Sequence, residues 1–244
     1  MAIINRNTRF RLLVLLMGLQ MGVGGCTKKA NQAAPPPAPE DPIAALQKAI
    51  VKAPSYENHI ALGLRLAEAN RSQEALDMYK RATEINPDGP LAWNNICAEH
   101  NKQGRFAEAV PNCEKAVALD SAYVLARNNL KLAKDSLAEQ KKAAAVKKAA
   151  ILANATATAQ DFVNVGMDLY NVKDFESSVT IWNRVKPGDA LYATAQNNIA
   201  SSYILLGKFK PAEKALNEAL KLEPENKLFS NNKKWLEEAR SAKQ

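Results

Sequence analysis

The 244 residues predict an all-α chain of stacked helix-turn-helix pairs. Two observations carry this. The composition is 47% apolar but only 6% aromatic, and the Ala, Leu, Lys, Glu and Gln within it are helix formers. The body also repeats: residues 56–89 and 90–123 align without a gap, so that Ala75, Tyr79, Ala82 and Pro87 face Ala109, Cys113, Ala116 and Ser121, each pair 34 positions apart. The frame returns in 193–226 as Ala212, Leu216, Ala219 and Pro224, and in 159–192 as Ser178, Trp182 and Val185. A period of this length is the mark of a solenoid, in which each pair buries its apolar face only against its neighbours.

Taken in order, residues 1–25 read as a secretory signal, with Arg6, Arg9 and Arg11 ahead of an apolar run at 12–23 that is too short to span a bilayer. Residues 28–42 are polar and carry Pro35, Pro36, Pro37, Pro39 and Pro42, which favour an extended tether over a core. Asp41-Pro42 opens a short helix through Lys52. Gly104 and Gly207 stand between paired helices, with Asn70 and Asp174 at the matching turns. Pro87, Pro90, Pro187-Gly188 and Pro224 separate the pairs. The small Gly63, Ala75 and Ala82 let the helices of a pair approach, while Tyr79, Trp182 and Leu216 fill the space beside them.

A larger copy is superimposed, because the four windows form two pairs related by a shift of 103 residues: Gly104-Arg105-Phe106 maps onto Gly207-Lys208-Phe209. Each pair is followed by a further helix, at 123–139 and 227–242. The second reads as the polar cap a solenoid needs. After the first comes the Lys/Ala run of 140–158, where repeat phase argues for a weak further hairpin and the lack of a breaker argues for one long connecting helix. The organisation expected is therefore a signal (1–25), a tether (26–41), a first repeat unit (42–139), a connector or weak repeat (140–158) and a second unit with its cap (159–242).

The period and the residues at its fixed places, with Trp93, Ile96, Cys97 and His100 on the first half of the pattern and Gly104-Arg105-Phe106 on its turn, resemble the tetratricopeptide repeat, W-x-x-L-G-x-x-Y…A-x-x-x-F…P. Separately, Val23-Gly24-Gly25-Cys26 resembles the lipobox of bacterial lipoproteins, which implies acylation and cleavage at Cys26. Thr27 in place of the Asp that retains such proteins in the inner membrane of enteric bacteria implies the outer membrane. Two or three acyl chains hold a protein to a bilayer far more firmly than one. The resemblances together imply an outer-membrane lipoprotein facing the periplasm. It would bind another envelope protein or an extended peptide, as pilotins, peptidoglycan-enzyme adaptors and outer-membrane assembly components do. The alternative is a glycan- or anionic-lipid-binding lipoprotein that uses its basic surface, the formal net charge being +8.

Chemistry is sparse. Neither G-x-G-x-x-G nor G-x-x-x-x-G-K-[ST] occurs, which argues against a nucleotide enzyme and a nucleotide cofactor. Two histidines and three cysteines, without ligand spacing, argue against a metal. His59 and His100 sit at packing positions with no nucleophile beside them, so no catalytic residue is expected, and export argues against nucleic acid. Cys97 and Cys113 lie on facing helices of one hairpin, 16 residues apart, and are either bridged or two separate buried thiols.

The strongest functional signal is the dipeptide Asn-Asn, at Asn94-Asn95, Asn128-Asn129, Asn197-Asn198 and Asn231-Asn232, always in the same phase of a first helix. First helices line the inner face of tetratricopeptide solenoids, and an Asn amide can both donate to and accept from a peptide backbone. Asn95, Asn129, Asn198 and Asn232 also match the common Asn of the family. Peptide contact and inter-repeat packing both fit. Ile60 and Leu64 stand where the family's carboxylate-clamp residues would.

Overall fold

The computed structural model describes residues 41–243, and the signal, Cys26 and the tether lie outside them. Among the described residues there are eleven helices and no strand: α1 (Pro42–Lys52), α2 (Tyr56–Glu68), α3 (Ser72–Ile85), α4 (Pro90–Lys102), α5 (Phe106–Leu119), α6 (Val124–Ala153), α7 (Ala159–Asn171), α8 (Phe175–Trp182), α9 (Tyr192–Leu205), α10 (Phe209–Leu222) and α11 (Lys227–Ser241). The hairpins are α2/α3, α4/α5, α7/α8 and α9/α10, and each stacks on the next element of the chain.

Local chemistry sets the ends. Asp41 accepts from the backbone N–H of Ile43, with Pro42 at the first helical position, Ser55 caps α2 through Asn58 N–H, and Thr158 with Asp161 closes a capping box on α7. The hairpin turns all use one left-handed residue, at Asn70, Gly104, Lys173 and Gly207 (φ between 58° and 69°). This corrects the sequence assignment of Asp174. That turn bends at Lys173, and Asp174 accepts from Ser177 N–H as the cap of α8. Lysine tolerates this conformation poorly, and what holds it there is the turn bond from Asp174 N–H to Leu169 O.

Packing follows the small-against-large logic. A Cβ on Gly63 would meet the Tyr79 ring at 2.7 Å from Cδ1, and one on Gly166 would meet the Trp182 ring at 2.5 Å from Cδ1. At both places glycine lets two backbones close over a buried aromatic. Trp182 (1% exposed) anchors the second core with Ile199, Leu216, Phe229 and Leu236, and Tyr79 anchors the first with Leu62, Leu66 and Leu76.

Of the two alternatives for the Lys/Ala run, the structure has the long helix: α6 runs unbroken for 30 residues, about 45 Å at ~1.5 Å per residue. It serves both units. Ala133 packs with Cys97, Ala109 and Cys113 of the first, while Ala144 and Ile151 pack with Leu169, Val172 and Ile181 of the second. The third hairpin departs from the others in its second helix. α8 has 8 residues where α3, α5 and α10 have 14, because the chain turns out through Pro187-Gly188, with Lys186 N–H bound to the Asp189 carboxylate.

Candidate functional site

The four asparagine pairs divide into three kinds. Asn94 and Asn197 are buried (5% and 1% exposed), and each accepts from the second asparagine of the following pair: Asn129 Nδ2 donates to Asn94 Oδ1 at 2.9 Å, and Asn232 Nδ2 to Asn197 Oδ1 at 2.8 Å. Asn94 in turn donates to the Tyr123 hydroxyl, and Asn232 also to Ser201 Oγ. These bonds tie one first helix to the next and recur at a shift of 103 residues. Of the two readings open for Asn94, Asn129, Asn197 and Asn232, the structure displays the inter-repeat packing one. A buried amide needs a partner at once, and another amide one repeat away supplies it. Asn95 and Asn198 are half-buried, Asn95 Nδ2 without an acceptor. Asn128 and Asn231 alone are exposed.

Around those two lies what the sequence reading missed. Leu125, Asn128 and Leu132 fall at i, i+3 and i+7 and share one face of α6. Leu228, Asn231 and Trp235 repeat the pattern on α11, 103 positions on. Leu125 is 61%, Leu132 51% and Leu228 58% exposed. Leu91, at the place of Leu125 one repeat earlier, is also exposed. The available signal was the 103-residue shift itself, which relates Leu125 to Leu228 as it relates the asparagines. An exposed leucine, however, looks like a core leucine in sequence.

Cys97 and Cys113 are fully buried and joined between α4 and α5, with Cα atoms 5.2 Å apart. His59 is buried, with Nδ1 2.7 Å from the Ser55 carbonyl, which fits packing. His100 is pushed down to about 4 by burial first and then by the Arg105 and Lys80 charges, against which Glu99 acts weakly. The unfolded ring takes up its proton near the ordinary 6.5 and the folded one only near 4. Between those values the unfolded state binds more protons, so stability is complete above the window and falls as pH drops through it. Allowing for partial solvent screening, the loss is about 1–2 kcal/mol. Urea midpoints at pH 7 and 4.5 check this: His100→Gln should lose less stability than wild type between them, and equal losses refute the assignment.

Residues 193–226 match the family model described as tetratricopeptide repeat. Over 93 residues the chain is 33% identical to the peroxisomal targeting signal receptor of Kluyveromyces lactis, covering 37% of this chain and 16% of that one. Over 166 residues it is 26% identical to stress-induced-phosphoprotein 1 of Caenorhabditis elegans, covering 64% and 48%. It thus spans less than half the length of either relative. Similar solved structures include YrrB, described as a TPR protein with an unusual peptide-binding site (TM-score 0.38, 21% identity, 79% of this chain and 99% of that one). Another is Pseudomonas aeruginosa PilF (TM-score 0.37, 17% identity, 77% and 86%). Helix pairs repeating at 34 residues, with one such repeat matched at 193–226, give this chain the all-α tetratricopeptide helix-turn-helix fold.

Proposed function

We propose that this chain is a lipid-anchored scaffold of a bacterial envelope, held to the outer membrane through Cys26 and facing the periplasm, which binds an extended segment of another envelope protein. The observation that carries the binding role is the exposed stripe of Leu125, Asn128 and Leu132, repeated in Leu228 and Asn231 beside the half-buried Trp235, which packs against the second core. Apolar side chains left in water favour a partner that covers them. The amide between them can donate to and accept from that partner's backbone, so the partner need not match in sequence. One of the matched relatives is, by name, a targeting-signal receptor. Export is supported by the signal-like residues 1–25, and a buried disulfide fits an oxidising compartment. The glycan or anionic-lipid reading is weaker, because Lys147 and Lys148 of the basic run are engaged by Asp168 and Ser177 in packing α6 on α7 and α8.

Affinity purification of the full chain from detergent-solubilised envelope tests the proposal. Wild type should recover a stoichiometric protein, and Leu125→Asp with Leu228→Asp should recover about tenfold less, as loss of apolar anchors does. The melting temperature should barely move, since both side chains are exposed. Cys26→Ser should leave the membrane fraction with unchanged helical content. Retention on purified sacculi without a protein partner, or equal recovery by the double variant, defeats the proposal.

A further inference from the structure

A groove of about 440 Å³ opens between α9 and α10 at the point where α8 stops, within the size range of small-ligand sites. Tyr192, Gln196 and Tyr203 line it from one face of α9, at i, i+4 and i+11, and Lys214 and Glu218 line it from α10, with Asn183 just beyond the end of α8. None of these six side chains makes a hydrogen bond, ion pair or ring contact with another described residue. Lys214 and Glu218 lie about one helical turn apart and still do not pair. Yet Gln196, Glu218 and both tyrosines are half-buried. Elsewhere, half-buried polar side chains are engaged, as Gln140 is by the Gly104 carbonyl and Lys148 by Ser177 Oγ. An amide and two phenols gathered at one groove without a partner in the chain are free to meet a ligand.

The first unit does not have this chemistry at the equivalent place. A shift of 103 residues maps Tyr192, Gln196 and Tyr203 onto Gly89, Trp93 and His100. There a single indole stands where the amide would, and it closes its own hydrogen bond, Trp93 Nε1 donating to the Pro87 carbonyl at 2.9 Å. The preceding helix differs too. Lys80, the counterpart of Asn183, lies within α3, which continues to Ile85, whereas α8 ends at Trp182. The second unit has thus exchanged a self-satisfied indole for two phenols and an amide, beside a helix that stops short.

We propose that this groove binds a neutral oligosaccharide. It is separate from the leucine and asparagine stripe of α6 and α11 and does not depend on that reading. A sugar hydroxyl both donates and accepts, and so do the phenols of Tyr192 and Tyr203 and the amides of Asn183 and Gln196. A tyrosine ring can take the C–H face of a sugar ring while its hydroxyl still bonds to ligand or water. Lys214 and Glu218 cancel in charge, which favours a neutral ligand over an anion or a cation. The aliphatic floor, Ile199 and Ala215, is buried, so an apolar peptide side chain finds little surface there to cover.

The test follows the side-chain amide NMR signals of Asn183 and Gln196 in the full chain, assigned by their loss in Asn183→Ala and Gln196→Leu. The titrants are N-acetylchitotetraose, cellotetraose, maltotetraose and mannotetraose, with decaproline as a protein-like probe. At least one sugar should shift both signals to saturation. Gln196→Trp, which restores the first unit's indole, should weaken that binding on the order of tenfold or more, because it fills the groove and removes a hydrogen-bonding amide. Leu125→Asp with Leu228→Asp should leave sugar binding unchanged. The site is overturned if no sugar moves either signal, and a shift by decaproline alone would then assign the groove to an extended protein segment. An undiminished Asn183 shift in Gln196→Trp overturns it as well. Asn183 is exposed, so its signal in the unaltered groove reads the site even if a Gln196 variant fails to fold.

Discussion

Trp182→Ala is expected to destabilise the chain by about 3–5 kcal/mol, the range for emptying a buried aromatic site. Trp182 is 1% exposed, its indole N–H donates to the Val163 carbonyl at 3.1 Å, and its ring lies 5.9 Å from that of Tyr170. Truncation removes the largest side chain of the second core and leaves a backbone carbonyl without its donor. Gly166 provides the reciprocal test, since adding a methyl there overpacks the same ring and should cost about 1–3 kcal/mol. In Gly166→Ala combined with Trp182→Phe the two costs should sum to less than their separate values, because the smaller ring makes room for the methyl. Solenoid stability is local, so amide exchange should rise in α7 to α10 well before α2 and α3. A loss under about 1 kcal/mol, or uniform exchange, would contradict the packing described.

Reducing the Cys97–Cys113 bond is the second large effect. The bridge closes a loop of 16 residues between helices already packed together, so its removal should cost at most about 3 kcal/mol on the chain-entropy account. For a chain of this size that is a fall in melting temperature of roughly 6–12 °C. Cys97→Ser with Cys113→Ser should show a similar fall without reductant and none on adding it. Both sulfurs sit at 0% exposure among Ala109 and Ala133, so part of the loss in the serine variant is the burial of two hydroxyls. Reduction alone isolates the bond. An unchanged melting temperature under reductant, with Cys97 and Cys113 both reacting as thiols in the denatured unreduced chain, rules the bridge out.

The helix pairs, their turns and the residues that pack within them were legible in the sequence, because they depend on chemistry that acts within a few residues. Gly104 and Gly207 mark turns since glycine adopts positive φ freely, and Asp41-Pro42 marks a helix start since each satisfies an end requirement locally. The 34-residue period named the fold for the same reason: each unit is a local hairpin, and Ala75, Ala82, Ala212 and Ala219 are small because two helices must touch there. What lay outside that range was decided by the tertiary structure. Phase alone did not tell an asparagine facing solvent from one facing its neighbour. Only the stacking of α4 on α6 and of α9 on α11 turned Asn94 and Asn197 inward to bind Asn129 and Asn232, and left Asn128 and Asn231 in water beside exposed leucines. The left-handed bend passed from Asp174 to Lys173 because four equivalent turns share one hydrogen-bond geometry, which outweighs a single residue's preference. Residues 140–153 continued as one helix because Ala144 and Ile151 found the apolar side of α7 and α8 to cover, a surface that exists only once the second unit has folded.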